Sequence, residues 1–319
     1  MAHYYEYYDS VSDYNSDAVT PLLDEEKKIS KKIVSEHDNR DADKCPLCNS
    51  IQISIYFKKW GIDYYRCTNC KSIFANVSED VLKKYRNNPG LIAYRKSEDY
   101  QRAISDNRQI SWSEYSDWIY LRSFRYLNTK KFKILDVGNR YYSLQKILSN
   151  ANYCDEYTNV NSIISEKKLS DVPDDHYDLI LCNDYIQQFK NIEKEISKIV
   201  PKLHLGGLLI MGVKLGTGFD ILTLRGKSRI YPYENITLPS QNALNNVLKK
   251  VGMKVLDNTT PGQMDVSYVL EKKDRISPQD SFISYLLETG DKRVLADFQY
   301  FLQKNCLSSY SRIVARRVQ

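Results

Sequence analysis

Phe132-Lys-Ile-Leu-Asp-Val-Gly138 is the stretch that decides how this chain folds. A short apolar run closed by glycine reads as a buried strand running into a turn. Tyr142 to Leu148, with apolar residues at helical spacing, then reads as the helix leaving that turn. The same grammar repeats downstream. Asp178-Leu-Ile-Leu-Cys182 is a second buried strand, an amphipathic helix runs from about Ile192 to Leu203, and Gly206-Gly207 opens a third strand, Leu208 to Val213. Near-continuous apolar strands alternating with helices predict a mainly parallel α/β sheet covered on both faces. Ser240 caps a further helix ending near Val251-Gly252, and Lys254–Leu256 and Val266–Leu270 read as closing strands.

Upstream stands a different signal. Cys45-Pro-Leu-Cys48 and Cys67-Thr-Asn-Cys70 are separated by eighteen residues, inside the range of paired CxxC zinc sites. Each CxxC turn offers two thiolates, and two such knuckles complete a tetrahedron with no open position, so a bound zinc would be structural. Ile51, Ile53, Ile55 and Phe57 alternate with polar residues, which predicts a hairpin strand between the knuckles.

The regions then divide as follows: an acidic, Tyr-rich tail and short helix over 1–40, a zinc ribbon over 41–78, a helical linker over 79–128, a Rossmann-like core over 129–271 and a helical segment over 272–319. Residues 1–26 carry seven acids and no Lys or Arg; set against the chain's net charge of +6, this leaves the remainder at +13. The tail is read as disordered and as a surface for a protein partner. The basic residues are dispersed without a block of five, which argues against a nucleic-acid footprint. No apolar run approaches the ~18 residues needed for a membrane span. Seven cysteines, four of them in metal-type pairs, fit a reducing, cytoplasmic setting.

The turn at Leu135-Asp-Val-Gly138, together with the strands at 178–182 and 208–213, resembles class I S-adenosylmethionine-dependent methyltransferases. With a zinc ribbon ahead of it, the chain is similar to the zinc-containing sugar methyltransferases of nucleotide-sugar and polysaccharide pathways. Gly218-Phe-Asp220, Ile230-Tyr-Pro-Tyr-Glu-Asn-Ile-Thr-Leu-Pro-Ser240, Thr260-Pro-Gly-Gln-Met-Asp265 and Phe298-Gln-Tyr-Phe-Leu302 before Leu307-Ser-Ser309 extend that similarity over about residues 43–316. The resemblance implies that Asp136, Gly138, Asn139 and Tyr141 line a cofactor turn, that Asp155 or Glu156 holds a ribose, and that Asn183 approaches the methionine end. It also implies that the 232–240 loop faces a sugar or nucleotide-sugar acceptor, with Glu234 and Asp184 as the acid–base candidates.

Three departures stand out. Asn139, Arg140, Tyr141 and Tyr142 follow Gly138 where relatives place glycines. Asp136 to Asp178 spans 42 residues, too few for two βαβ crossovers of about 30 residues each, which predicts a lost crossover helix. Asn235 stands where relatives carry a histidine, and an amide takes up no proton at neutral pH. Two alternatives to methyl transfer therefore stay open: a catalytically degenerate scaffold with a methyltransferase-like fold, and a zinc-ribbon protein that binds nucleic acid.

Overall fold

The computed structural model describes residues 42–162, 164–232 and 234–319, together with Asp24, Lys27, Lys28, Lys31 and Ser35. The expected tail and most of its short helix lie outside the described residues. The ribbon opens with β1 (Ile53–Lys59), β2 (Ile62–Cys67) and β3 (Ile73–Ala75), and helices α1 (Glu79–Arg86), α2 (Pro89–Lys96) and α3 (Glu98–Leu127) follow. Next come β4 (Phe132–Val137), α4 (Tyr142–Ser149), β5 (Cys154–Val160), β6 (Tyr177–Asn183), α5 (Ile192–Ile199) and β7 (Leu203–Lys214). The chain continues with α6 (Phe219–Leu224), β8 (Thr237–Leu238), α7 (Gln241–Lys250), β9 (Met253–Thr259) and α8 (Asp265–Leu270). It ends in α9 (Ser281–Thr289), α10 (Lys292–Lys304) and β10 (Tyr310–Arg317).

The main sheet has the order β5-β4-β6-β7-β10-β9; the first four strands are parallel, and β10 runs antiparallel to both neighbours. Strand alternation sends neighbouring apolar residues to opposite faces. Leu135, Val137, Ile180, Cys182, Leu209 and Met211 pack with α5 and α7, whereas Ile134, Leu179, Leu181, Leu208 and Ile210 pack beneath Trp112, Tyr115, Trp118 and Ile119 of α3. Both faces are covered, which is why these strands read as unbroken apolar runs.

Among the described residues between β5 and β6 there is a single 3-10 turn, Leu169–Asp171, as the short interval requires. β5 is therefore an edge strand. The order also reverses between β4 and β6, because β5 is laid down on one side of β4 and all later strands on the other. In open α/β sheets that reversal marks the crevice where ligands bind, at the carboxyl ends of the strands.

Two closing elements differ from expectation. Val266–Leu270 is helical: Val266, Val269 and Leu270 sit at i, i+3, i+4 and share one buried cluster with Leu224, Leu287 and Leu302. The closing strand is β10 instead, so the 272–319 segment is not wholly helical, and Ile313, Val314 and Ala315 are buried in mid-sheet.

The ribbon sheet has the order β1-β2-β3-β8, taking its fourth strand from Thr237–Leu238 in the loop after α6. Cys45, Tyr65, Cys67 and Phe74 belong to the same buried cluster as Leu135 and Ile180, so ribbon and core share packing. The simple alternation expected along β1 is broken by a register shift between Ile55 and Phe57; Ile55 is exposed, and Ile51 is exposed ahead of the strand.

Candidate functional site

The two knuckles are built alike. In each, the first cysteine's N–H donates to the carbonyl five residues on (Cys45 to Ser50, Cys67 to Ser72), and the N–H four residues on returns to that cysteine's carbonyl (Asn49 to Cys45, Lys71 to Cys67). Closing so tight a turn requires a left-handed residue, and Asn49 and Lys71 have φ of 58° and 64°. The four Sγ atoms lie within 4.8 Å of one another, with Cys45–Cys70 and Cys48–Cys67 at 3.6 Å. Zinc–sulfur bonds of about 2.3 Å in a tetrahedron set sulfurs roughly 3.8 Å apart, so this thiol set fits a zinc ion. The Cys70 N–H points at Cys67 Sγ from 3.5 Å, and the Asn69 amide at Cys48 Sγ from 3.6 Å, contacts that support thiolate charge.

The second candidate lies at the strand-order reversal. Gly138, Asn161 and Asp184 end or directly follow β4, β5 and β6, and all three are left-handed, with φ of 80°, 51° and 52°. Two of the three carry side chains, and such backbone strain collects at functional sites. Asp136 is 1% exposed, and Tyr157 Oη donates to its Oδ2 at 2.6 Å. Burial pushes this carboxyl up to about 7, against the pull of the Tyr157 and Asn139 hydrogen bonds.

Asn159 lies opposite Asp136 in the β4–β5 register; its amide donates to the Asn139 carbonyl at 3.0 Å, while its buried Oδ1 has no hydrogen-bond partner. The turn's other polar groups are satisfied from within. Gln101 accepts from the Tyr142 N–H and donates to the Arg140 carbonyl, and the Asn139 side chain accepts from the Tyr141 N–H. Asn183 accepts from the Tyr115 hydroxyl at 2.9 Å, and Asp184 from Gln187 at 3.1 Å.

Not every expected residue comes to this crevice. Asp155 and Glu156 lie at the amino end of β5, where Glu156 pairs with Lys133 in register and bonds His176 at 2.9 Å. That is the far end of the strand from Gly138, and the polar residues at the carboxyl end are Asn159, Asn161 and Ser162. Glu234 is 8% exposed and gripped by Arg95 and by Arg140, the latter at 2.7 Å. Burial alone would raise its carboxyl, but the two guanidiniums hold it well below the usual carboxylate range. A carboxylate held so low does not take up protons near neutrality, so the geometry makes Glu234 a clamp between α2, the β4 turn and the 232–240 loop rather than an acid–base group. Asn235 spends its side chain on the Tyr231 N–H.

Tyr185, Asn159, Asn161 and Gln101 join the site without a local signal in the sequence. Cys154-Asp-Glu-Tyr-Thr-Asn-Val160 has too few apolar residues to signal a strand, and without that strand its terminal polar residues had no place.

No family model matches the sequence, and no curated protein matches it. Among solved structures, the plantazolicin methyltransferase BpumL in complex with SAH is 13% identical, covering 76% of this chain and 99% of that one, with a TM-score of 0.42. The Burkholderia thailandensis 1,6-didemethyltoxoflavin-N1-methyltransferase is 12% identical over 79% and 98%, with a TM-score of 0.40. A SAM-dependent methyltransferase from Archaeoglobus fulgidus is 14% identical over 63% and 94%, with a TM-score of 0.39.

Proposed function

We propose that this chain is a methyltransferase that uses S-adenosylmethionine, with a structural zinc in its ribbon. One observation carries the reading: three parallel strands end together at the strand-order reversal, each closed by a left-handed residue, with Asp136, Asn159 and Asn183 gathered around Gly138. The donor set fits such a cofactor. Asn161 and Ser162 follow the carboxyl end of β5 beside the turn, and Asn159 keeps a buried free acceptor there. When bound, the cofactor supplies an activated methyl group on a sulfonium.

The protein's share is to position and to exclude water. Asp136 is hydrogen-bonded by Tyr157 and Tyr115 fixes Asn183, which supports a preformed wall. The Arg95–Glu234–Arg140 clamp ties the 232–240 loop to the cofactor turn. Asp184 is the remaining acid–base candidate. The acceptor we infer is a sugar or nucleotide-sugar, on the strength of the ordered segments from Gly218 to Ser309.

Calorimetry with S-adenosylmethionine and S-adenosylhomocysteine on the zinc-loaded protein tests the reading. Binding of either supports it. Indifference to both, in well-folded protein, sinks it and leaves the non-catalytic scaffold.

A further inference from the structure

The space above Gly138 is taken. A Cβ built on this glycine would lie 2.3 Å from Tyr185 Cδ2 and 2.9 Å from its Cγ, so the Tyr185 ring rests directly on the glycine face that a ligand of the turn would use. Tyr185 is 8% exposed. Its hydroxyl accepts from Asn161 Nδ2 at 3.1 Å, which occupies the side chain that closes β5. The ring is backed by Phe189, 4.9 Å away between centroids, and Phe189 in turn lies under the Arg86 guanidinium at 4.4 Å. One side chain thus covers the end of β4 and engages the end of β5, although it belongs to β6's own turn.

The carboxyl end of β5 also holds an unsatisfied group. Asn159 is 6% exposed, its amide directed at the Asn139 carbonyl and its Oδ1 without a partner. A core filled for stability alone has little reason to bury an unpaired amide oxygen. Tyr185 directly follows the left-handed Asp184, whose N–H makes the last bond to β7, to the Gly212 carbonyl at 2.9 Å, so the chain turns out of the sheet at Tyr185.

We infer that Tyr185 is the residue that sets the affinity of this site for an adenosyl ligand, by resting on Gly138 until its ring swings away. This rests on the cofactor reading proposed above. A ligand that binds only the open arrangement has its apparent affinity lowered by the fraction of molecules that are open, so removing the cover tightens binding without adding a contact.

The test is calorimetry of S-adenosylhomocysteine with the full chain, Tyr185→Phe and Tyr185→Ala, each checked for zinc content and thermal melting. Tyr185→Ala is expected to bind about tenfold tighter, with Tyr185→Phe, which loses only the bond from Asn161, between the two. Equal affinity of wild type and both variants overturns the inference and leaves the cofactor reading standing. Absence of binding in all three overturns both. If Tyr185→Ala does not fold, nitration of wild-type Tyr185 by tetranitromethane decides. More nitration with S-adenosylhomocysteine present supports a ring that moves outward; unchanged or reduced nitration rules it out.

Discussion

Replacing Glu234 by Gln separates a structural clamp from a catalytic acid more sharply than any other substitution. In the folded chain the Glu234, Arg95 and Arg140 side chains are 10%, 9% and 13% exposed, so the two guanidiniums share one buried anion. Gln keeps the volume but offers one acceptor, and its NH2 faces the second guanidinium donor to donor. Breaking a buried pair from one side costs about 3–5 kcal/mol, because it strands the partner's charge. With roughly 2–4 °C per kcal/mol for a chain of this size, the melting temperature should fall by on the order of 10 °C.

The pH dependence carries a sign. A carboxyl depressed by its partners contributes stability above the unfolded value of about 4.3 and loses it as pH falls through the lower folded value. The gap between wild type and variant should therefore hold steady from pH 8 to 5 and close only below that. Circular-dichroism melting across pH reads this directly. A variant melting within about 2 °C of wild type at pH 7, or a gap that titrates near neutrality, would refute the clamp. A catalytic acid predicts the reverse: stability kept, turnover lost.

Three further outcomes follow from the same geometry. Asp136→Asn should stabilise the fold as pH rises: an acid raised to about 7 by burial gives stability below its unfolded value near 3.9 and loses it through 7, so urea midpoints of variant and wild type should agree near pH 4 and favour the variant by at most roughly 4 kcal/mol at pH 8. Ser240→Ala should cost about 1–2 kcal/mol in urea, since Ser240 Oγ accepts from the Ala243 N–H at 3.1 Å and donates to the Cys70 carbonyl at 2.6 Å; a change below 0.5 kcal/mol would count against it. Chelating the metal should lower the melting of the whole chain in one transition, because Cys45 and Cys67 share a buried cluster with Leu135 and Ile180; a separate early ribbon transition would show that the two do not cooperate.

What could be read from the sequence follows the range of each interaction. The cysteine knuckles are local: spacing alone defines the thiol set, and the repeated i to i+5 hydrogen bond shows why three-residue separation suffices. The buried strands β4, β6 and β7 are legible because covering both faces forces an unbroken apolar run. β5 and β10 are not. β5 is an edge strand whose residues before Thr158 are exposed or only partly buried, and β10 keeps three buried apolar residues among arginines, a pattern that weighs little by periodicity. Val266–Leu270 shows the opposite failure, where a short apolar run fits strand and helix equally until the i, i+3, i+4 contacts are known.

The candidate site divides along the same line, and the division bears on how the chain works. Gly138 and Asp136 belong to a local motif that the sequence displays directly. The groups that decide what the motif can do come from far away: Glu234 lies 94 positions from Arg140 and 139 from Arg95, and Tyr185 reaches Gly138 from the end of another strand. Loss of glycines after Gly138 reads in sequence as erosion of a binding turn. In the fold the same substitutions have employment. Arg140 reaches Glu234, its carbonyl and the Tyr142 N–H share Gln101, and Tyr141 packs on Trp112 at 5.2 Å. Bulk that would obstruct an open glycine turn here ties it to α2, α3 and the 232–240 loop. The turn is held by these cross-links, and the one side chain from another strand that rests on its glycine is Tyr185.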